Sequence, residues 1–229
     1  MTATPKAGRA RARLTEDRIV QAALELCETA EGLNALTVRS LANHLGAATM
    51  TLYGYFRSKE EILDAVADHV MGGFVMEPVE GESPEEAVRA VADGLLGLMK
   101  RYPSICDLLG SRTTKTKTSM RGAMESVLSR LTEAGIPGPA AVRCYGFLMH
   151  HTMGFVAYQR PRPWGGDDTP AVRELRRQQQ HFYAALPVDE LPVVVGLAEE
   201  LVVLPGQELY DYAVDLLVRQ VLDDVATGA

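Results

Sequence analysis

At 229 residues, 47% of them hydrophobic, the chain is long enough for a small head and a larger body, each with its own core. Its net charge of −7 would by itself argue against a nucleic-acid partner, yet the charge is uneven. Residues 1–60 hold eight Lys or Arg against six Asp or Glu, and the rest fifteen against twenty-four, so a basic front (+2) precedes an acidic remainder (−9).

The absence of an apolar run of about eighteen residues and of a secretory leader predicts a cytoplasmic protein with no membrane partner. Cys27, Cys106 and Cys144 are odd in number and set in apolar helical patterns, which reads as buried thiols rather than a disulfide framework or metal cluster. No metal and no cofactor is expected.

In chain order, residues 1–13 carry Lys6, Arg9, Arg11 and Arg13 with little apolar content and read as a disordered basic arm. Two roles stay open for it: lying along phosphate or in a minor groove, or serving as a solubilising leader. From Thr15 a capped helix carries Ile19, Ala22, Ala23, Leu26 and Cys27 at helical spacing. Thr37 then caps a short helix with Val38, Leu41, Ala42 and Leu45 on its apolar face. Gly46 ends it, and the chain restarts near Ala48 or Thr49, the spacing of a helix-turn-helix. Leu52 and Phe56 point inward, leaving Ala48, Thr49, Met50 and Thr51 small or short enough to let a backbone approach a major groove. Tyr53 and Tyr55 flank that face, and a third element starts at Ser58 with Glu61 in capping-box position. Lys59 in its first turn opposes the helix dipole, for which a phosphate partner is the explanation.

These residues resemble the DNA-binding domain of the tetracycline-repressor (TetR) family of bacterial regulators. The resemblance covers roughly residues 14–70. It rests on Leu36-Thr37-Val38-Arg39, Leu41-Ala42, Leu45-Gly46, Thr51-Leu52-Tyr53, Phe56 and Ser58-Lys59-Glu60-Glu61-Ile62-Leu63. It implies that Thr37, Tyr53 and Lys59 hold phosphates, and that Arg39, Ala48, Thr49, Met50, Thr51 and Tyr55 face base edges. Ala48 and Met50 cannot hydrogen-bond a base, and Tyr55 stands where many relatives have histidine, so readout leans on Arg39, Thr49 and methyl contacts. For Met50 simple packing is the competing reading.

Beyond the third element, which runs toward Gly72 and Gly73, Ser83-Pro84-Glu85-Glu86 opens a helix reaching about Tyr102. Residues 103–109 read as a short helix, 110–117 as a polar loop, 119–134 as a helix closed by Gly135, and 139–159 as a helix that is apolar nearly all round. A Pro/Gly-rich loop (160–168) with the only tryptophan precedes a helix from Thr169-Pro170 to about Leu186, an apolar segment at 191–204 and a last helix at 207–225. The expected fold is all-α: an N-terminal three-helix helix-turn-helix head (14–72) and a larger helical domain (73–229) for effector binding and dimerisation.

The two helices that are apolar all round are either swallowed by the body or shared with a second copy, the favoured reading. Phe147, His151, Gly154 and Tyr158 on the first, with Leu209, Ala213, Leu217 and Val221 on the second, are the candidate dimer interface; the resemblance implies a four-helix interface from a late pair per subunit. It also implies a small-molecule pocket among the middle helices. Met99, Tyr102, Met120, Met124 and Tyr145 are candidates for it, as are Met149, His150, Met153, Phe155 and Phe182, although for any single one of them structural core is the favoured reading. By family logic, residues 103–109 push on the helix ending near Gly72.

The expected function is a ligand-responsive regulator, a repressor by preference, binding an inverted-repeat operator in double-stranded DNA as a homodimer and released by a small, largely hydrophobic effector. An effector-independent repressor is the alternative. An all-α enzyme is disfavoured because no catalytic spacing appears.

Overall fold

The computed structural model describes residues 14–228, and among these every regular element is a helix. The described chain is all-α, as the periodicity predicts. It divides into two compact units that meet at Val66 and Ala67, six residues before the expected boundary. The basic arm expected for residues 1–13 lies outside the described residues.

In the first unit, α1 (Glu16–Cys27) starts where the Thr15 side chain accepts a hydrogen bond from the Arg18 N–H and buries Ile19, Ala23, Leu24 and Cys27. A single 3₁₀ turn, Gly32–Asn34, leads to α2 (Val38–Leu45), whose Leu41 and Ala42 are buried. Gly46 terminates α2 at φ +63°, a conformation that glycine adopts without a Cβ penalty. α3 (Thr49–Leu52) is one turn long, with Leu52 buried. α4 (Lys59–Gly72) begins where Ser58 Oγ accepts the Glu61 N–H at 3.1 Å. Ile19, Leu24, Leu36, Leu41, Leu52 and Ile62 form this unit's core. Each such side chain contributes roughly 1.5–3 kcal/mol of burial, enough to hold a unit this small around one cluster.

The second unit opens with the end of α4. α5 (Pro84–Arg101) follows a reciprocal Ser83–Glu86 capping box and buries Val88, Val91, Leu95 and Met99 along one stripe. α6 (Ser104–Ser111) comes next, then a continuous rod built of α7 (Lys117–Ser119), a π turn (Met120–Glu125) and α8 (Ser126–Glu133). α9 (Gly138–Gln159), α10 (Pro170–Ala184), the short α11 (Pro192–Gly196) and α12 (Ala198–Leu201), and α13 (Gln207–Thr227) complete it.

α5 is the centre of this unit, packing against α8, α9 and α13. Fully buried Tyr210 on α13 fastens the three long helices: its hydroxyl donates to Ala92 O of α5 at 3.0 Å and accepts from Thr152 Oγ1 of α9 at 2.9 Å. Burial pushes that phenol up to about 12, so it stays a donor. Arg130 of α8 binds Glu82 through two N–H groups and pins the segment before α5.

α10 behaves differently from the other long helices. None of its residues is buried, and its neighbours are α11, α12 and the turn at Pro163–Gly165.

The π turn was not anticipated from the sequence. It brings Gly122 against the end of α4 so closely that a Cβ there would lie 2.6 Å from the carbonyl oxygens of Met71 and Gly72. α6, the element expected to press on α4, is tied to the end of α9, where Arg160 donates to Asp107 Oδ2 at 2.8 Å and to Pro103 O at 2.7 Å.

Candidate functional site

The helix-turn-helix presents a face of short side chains. Ala48, Thr49, Met50 and Thr51 are all exposed on the one-turn α3 and the residue before it, and Arg39 is exposed on α2. Met50 is 76% exposed, so core packing is not its role. Leu52 and Phe56 anchor the other side of the turn.

Three of the expected contact residues, Thr37, Lys59 and Tyr55, have internal partners. Thr37 shares a capping box with Ser40: its Oγ1 accepts the Ser40 N–H at 2.9 Å, and its own N–H donates to Ser40 Oγ at 2.8 Å. Lys59 Nζ donates to Leu33 O at 3.2 Å, closing the turn before α2 onto the start of α4 and leaving two ammonium N–H groups for a phosphate. Tyr53 stays exposed and clear of the core. Tyr55 departs furthest from the expectation: it is half-buried and its hydroxyl donates to Leu14 O at 2.8 Å. That bond ties the beginning of α1 to the helix-turn-helix and takes the proton a base acceptor would need. His44 of α2 and Glu25 of α1, 3.0 Å apart, add a second tie between these helices.

The ten candidate pocket residues do not converge on one cavity. Met99 is wholly buried in the α5 stripe, and Phe155 is buried against the Tyr210 ring at 5.0 Å. Met120 and Met124 are exposed beside Lys115, Lys117 and Arg121, and Phe182 is 57% exposed on α10. Tyr145, Met149 and Met153 are half-buried along α9, and His150 is exposed. Tyr102 alone of the ten borders the cavity of about 380 Å³ between the end of α4 and α5. Its other walls come from His69, Val70, Gly73 and Phe74 and from Gly94, Gly97, Leu98 and Arg101, a set the sequence reading missed. Two glycines inside α5 were the available signal, since an interior helical glycine costs about 1 kcal/mol relative to alanine and calls for a reason.

A larger recess of about 540 Å³ lies where the 160–168 loop meets the start of α13, but its donor side chains are already engaged. Gln159 donates to Gly165 O and Pro205 O, Arg176 to Trp164 O and Gly166 O, and Lys100 to Gln207 Oε1.

Of the candidate dimer residues, Phe147, Gly154, Tyr158 and Leu209 are exposed, and Ala213 and Leu217 are half-buried. Val221 is a correction: at 2% exposure it belongs to the core of this chain. The reason is helical phase. Steps of four residues rotate about 40° each, so a line drawn from Leu209 through Ala213 and Leu217 reaches the inner face by Val221. The exposed apolar stripe of α13 runs instead through Leu209, Tyr212 and Leu216, and Val142 extends that of α9. His151 is half-buried, stacked between Phe147 at 5.6 Å and Tyr210 at 4.9 Å, and its buried Nε2 has no hydrogen-bond partner among the described residues. Desolvation lowers its pKa.

A helix-turn-helix unit with an open face of small side chains, followed by an all-helical body, defines a two-domain helix-turn-helix protein. Residues 19–66 match the model of bacterial regulatory proteins of the tetR family, and residues 77–210 that of the tetracyclin repressor-like C-terminal domain. The chain belongs to the TetR family. Among curated relatives it is 35% identical over 149 residues to the HTH-type transcriptional repressor DrrR1 of Streptomyces coeruleorubidus, covering 62% of this chain but only 52% of that protein. The match thus spans about half of DrrR1. It is 29% identical over 164 residues to the class D tetracycline repressor protein from Escherichia coli, covering 70% and 73% of the two. Among solved structures, Streptomyces coelicolor ActR in complex with actinorhodin superposes with a TM-score of 0.74 at 25% identity, over 93% of this chain and 99% of that one. No helix among the described residues is long and apolar enough to cross a membrane.

Proposed function

We propose that this protein is a ligand-responsive transcriptional repressor that binds an inverted-repeat operator as a homodimer and is released by a small, largely hydrophobic effector. The observation that carries the reading is the α2–α3 face, where five short or flexible side chains stand exposed on a turn whose inner side is fully packed. Small side chains there let the backbone reach the groove floor, and Arg39 supplies a donor pair matched to guanine. Repression is supported by the name of DrrR1, and effector control by the ligand in the ActR structure. Dimerisation is supported by the stripes Val142, Phe147 and Tyr158 on α9 and Leu209, Tyr212 and Leu216 on α13, which one protomer leaves in water.

Two variants test the reading on purified protein by fluorescence anisotropy. Arg39→Ala costs about 1–3 kcal/mol and relaxes preference at one base pair per half-site. Lys59→Ala weakens all sequences alike and flattens the salt dependence by about one unit. Equal loss on operator and random DNA for Arg39→Ala makes it a phosphate contact and removes the proposed basis of sequence reading.

A further inference from the structure

We infer that the cleft between the end of α4 and α5 is the effector site and that it takes a flat aromatic acid, which rests on the effector-controlled reading above. Gly94 and Gly97 both sit inside α5 with ordinary helical φ, so neither is required by the backbone. Packing accounts for Gly94: a Cβ there would lie 3.0 Å from Met76 Sδ and 3.3 Å from the Phe74 ring. Nothing of the kind accounts for Gly97. A Cβ at that position would meet no atom within 4 Å, so its glycine forgoes helix stability and leaves open space.

That space belongs to the 380 Å³ cleft, within the roughly 300–1,000 Å³ of small-molecule sites. One wall is bare backbone at Gly97, and the others include the Phe74 and Tyr102 rings, so the shape suits a planar body stacked on aromatics.

The charge around the cleft is one-sided. Arg101 takes part in no hydrogen bond or ion pair among the described residues, and its guanidinium lies 5.2 Å from the centre of the Tyr102 ring. His69 stands at the same cleft, and among the described residues no carboxylate lines it. A guanidinium held over an aromatic and otherwise unengaged is matched by a carboxylate, which it binds through two parallel hydrogen bonds. The larger recess near the 160–168 loop has the opposite character. Asp167, Asp168 and Glu208 border it and its cations are already bonded, so it repels an anion. Val70 and Gly73 come from the segment that ends α4, so a ligand in the cleft bears on the helix whose first turn carries Lys59.

The test uses the full chain with anthraquinone-2-carboxylate and 1-hydroxy-2-naphthoate beside their methyl esters, read by calorimetry and by release of operator DNA. The acids are expected to bind wild type at least about tenfold tighter than the esters, the worth of one charge-assisted hydrogen bond. Arg101→Gln erases that preference. Gly97→Leu weakens acid and ester alike by more than about tenfold while keeping the unliganded operator affinity; should it fold poorly, Gly97→Ala gives a smaller loss in the same direction. Binding unchanged in the Arg101 and Gly97 variants, esters as tight as acids, or no binding of either overturns the inference. Operator release that ignores both variants overturns the site while effector control survives. Arg101-dependent binding with operator affinity unchanged keeps the site and sinks effector control instead.

Discussion

Tyr55→Phe removes one oxygen atom from the first unit and separates a structural task from a reading task. The hydroxyl it deletes donates to Leu14 O at 2.8 Å, across 41 residues of chain, and is the tie between the start of α1 and the helix-turn-helix. A hydrogen bond of this kind contributes about 0.5–1.5 kcal/mol net. Leu14 is half-exposed, so water can replace the lost donor, which places the cost in the lower part of that range, about 0.5–1 kcal/mol. For a unit this small the melting temperature falls by roughly 2–8 °C. A tyrosine that read a base would show a different signature, since a hydrogen-bonded base contact is worth about 1–3 kcal/mol of discrimination at one position. Scanning fluorimetry gives the first quantity. Anisotropy with the operator and its single-base-pair variants, at one fixed salt concentration, gives the second. The structural assignment predicts lower heat stability with relative preferences kept within about twofold. An unchanged melting temperature with a selective loss above about tenfold at one base pair would refute it.

Three further expectations follow from the second unit and from the buried cysteines. Gly97→Ala and Gly122→Ala, both inside helical rods, should move in opposite directions in thermal melts. The first gains about 1 kcal/mol of helix propensity, whereas the second drives a methyl to within 2.6 Å of the Met71 and Gly72 carbonyls and destabilises; two stabilised variants would mean that the π turn does not abut α4. His151, with its pKa lowered by burial, refuses a proton that the unfolded chain accepts near its ordinary value. The unfolded state therefore binds more protons as pH falls below about 6.5, and stability present above that pH is lost on acidification. His151→Phe should accordingly flatten the melting temperature against pH between about 7.5 and 5, and parallel curves for the two proteins would contradict this. Burial pushes the Cys27 thiol to about 11 and the Cys144 thiol to about 12, so native protein should leave both unlabelled by a thiol reagent at neutral pH, with labelling appearing on denaturation. Rapid labelling of either in the native state would count against the packing around it.

The head was largely legible because its signals are local. Thr37, Gly46 and Ser58 mark ends of helices whatever surrounds them, and Leu41, Ala42, Leu52 and Phe56 fall inward by period alone. What the sequence concealed depends on contacts between distant segments. Tyr55 looks like a reader beside a groove until Leu14, 41 residues away, takes its proton. The π turn adds a residue to one helical turn without a composition of its own, and only the carbonyls at the end of α4 explain why Gly122 is there. Met99, Met120 and Met124 are alike in sequence, yet one is buried and two are in water, since a methionine's placement is set by which face its helix turns inward. For the same reason the pocket could not be listed from residue types: Gly97, its clearest mark, contributes by what it lacks.

The central claim is that two copies of a small helix-turn-helix unit read adjacent grooves of one duplex. Selection of bound sequences from a random duplex pool by the purified full chain, at a single moderate salt concentration, tests it most directly. The account predicts enrichment of an inverted repeat whose half-site centres lie about 34–36 Å apart, one helical turn. Recovery of an isolated half-site, or of no enriched sequence at all, would contradict it.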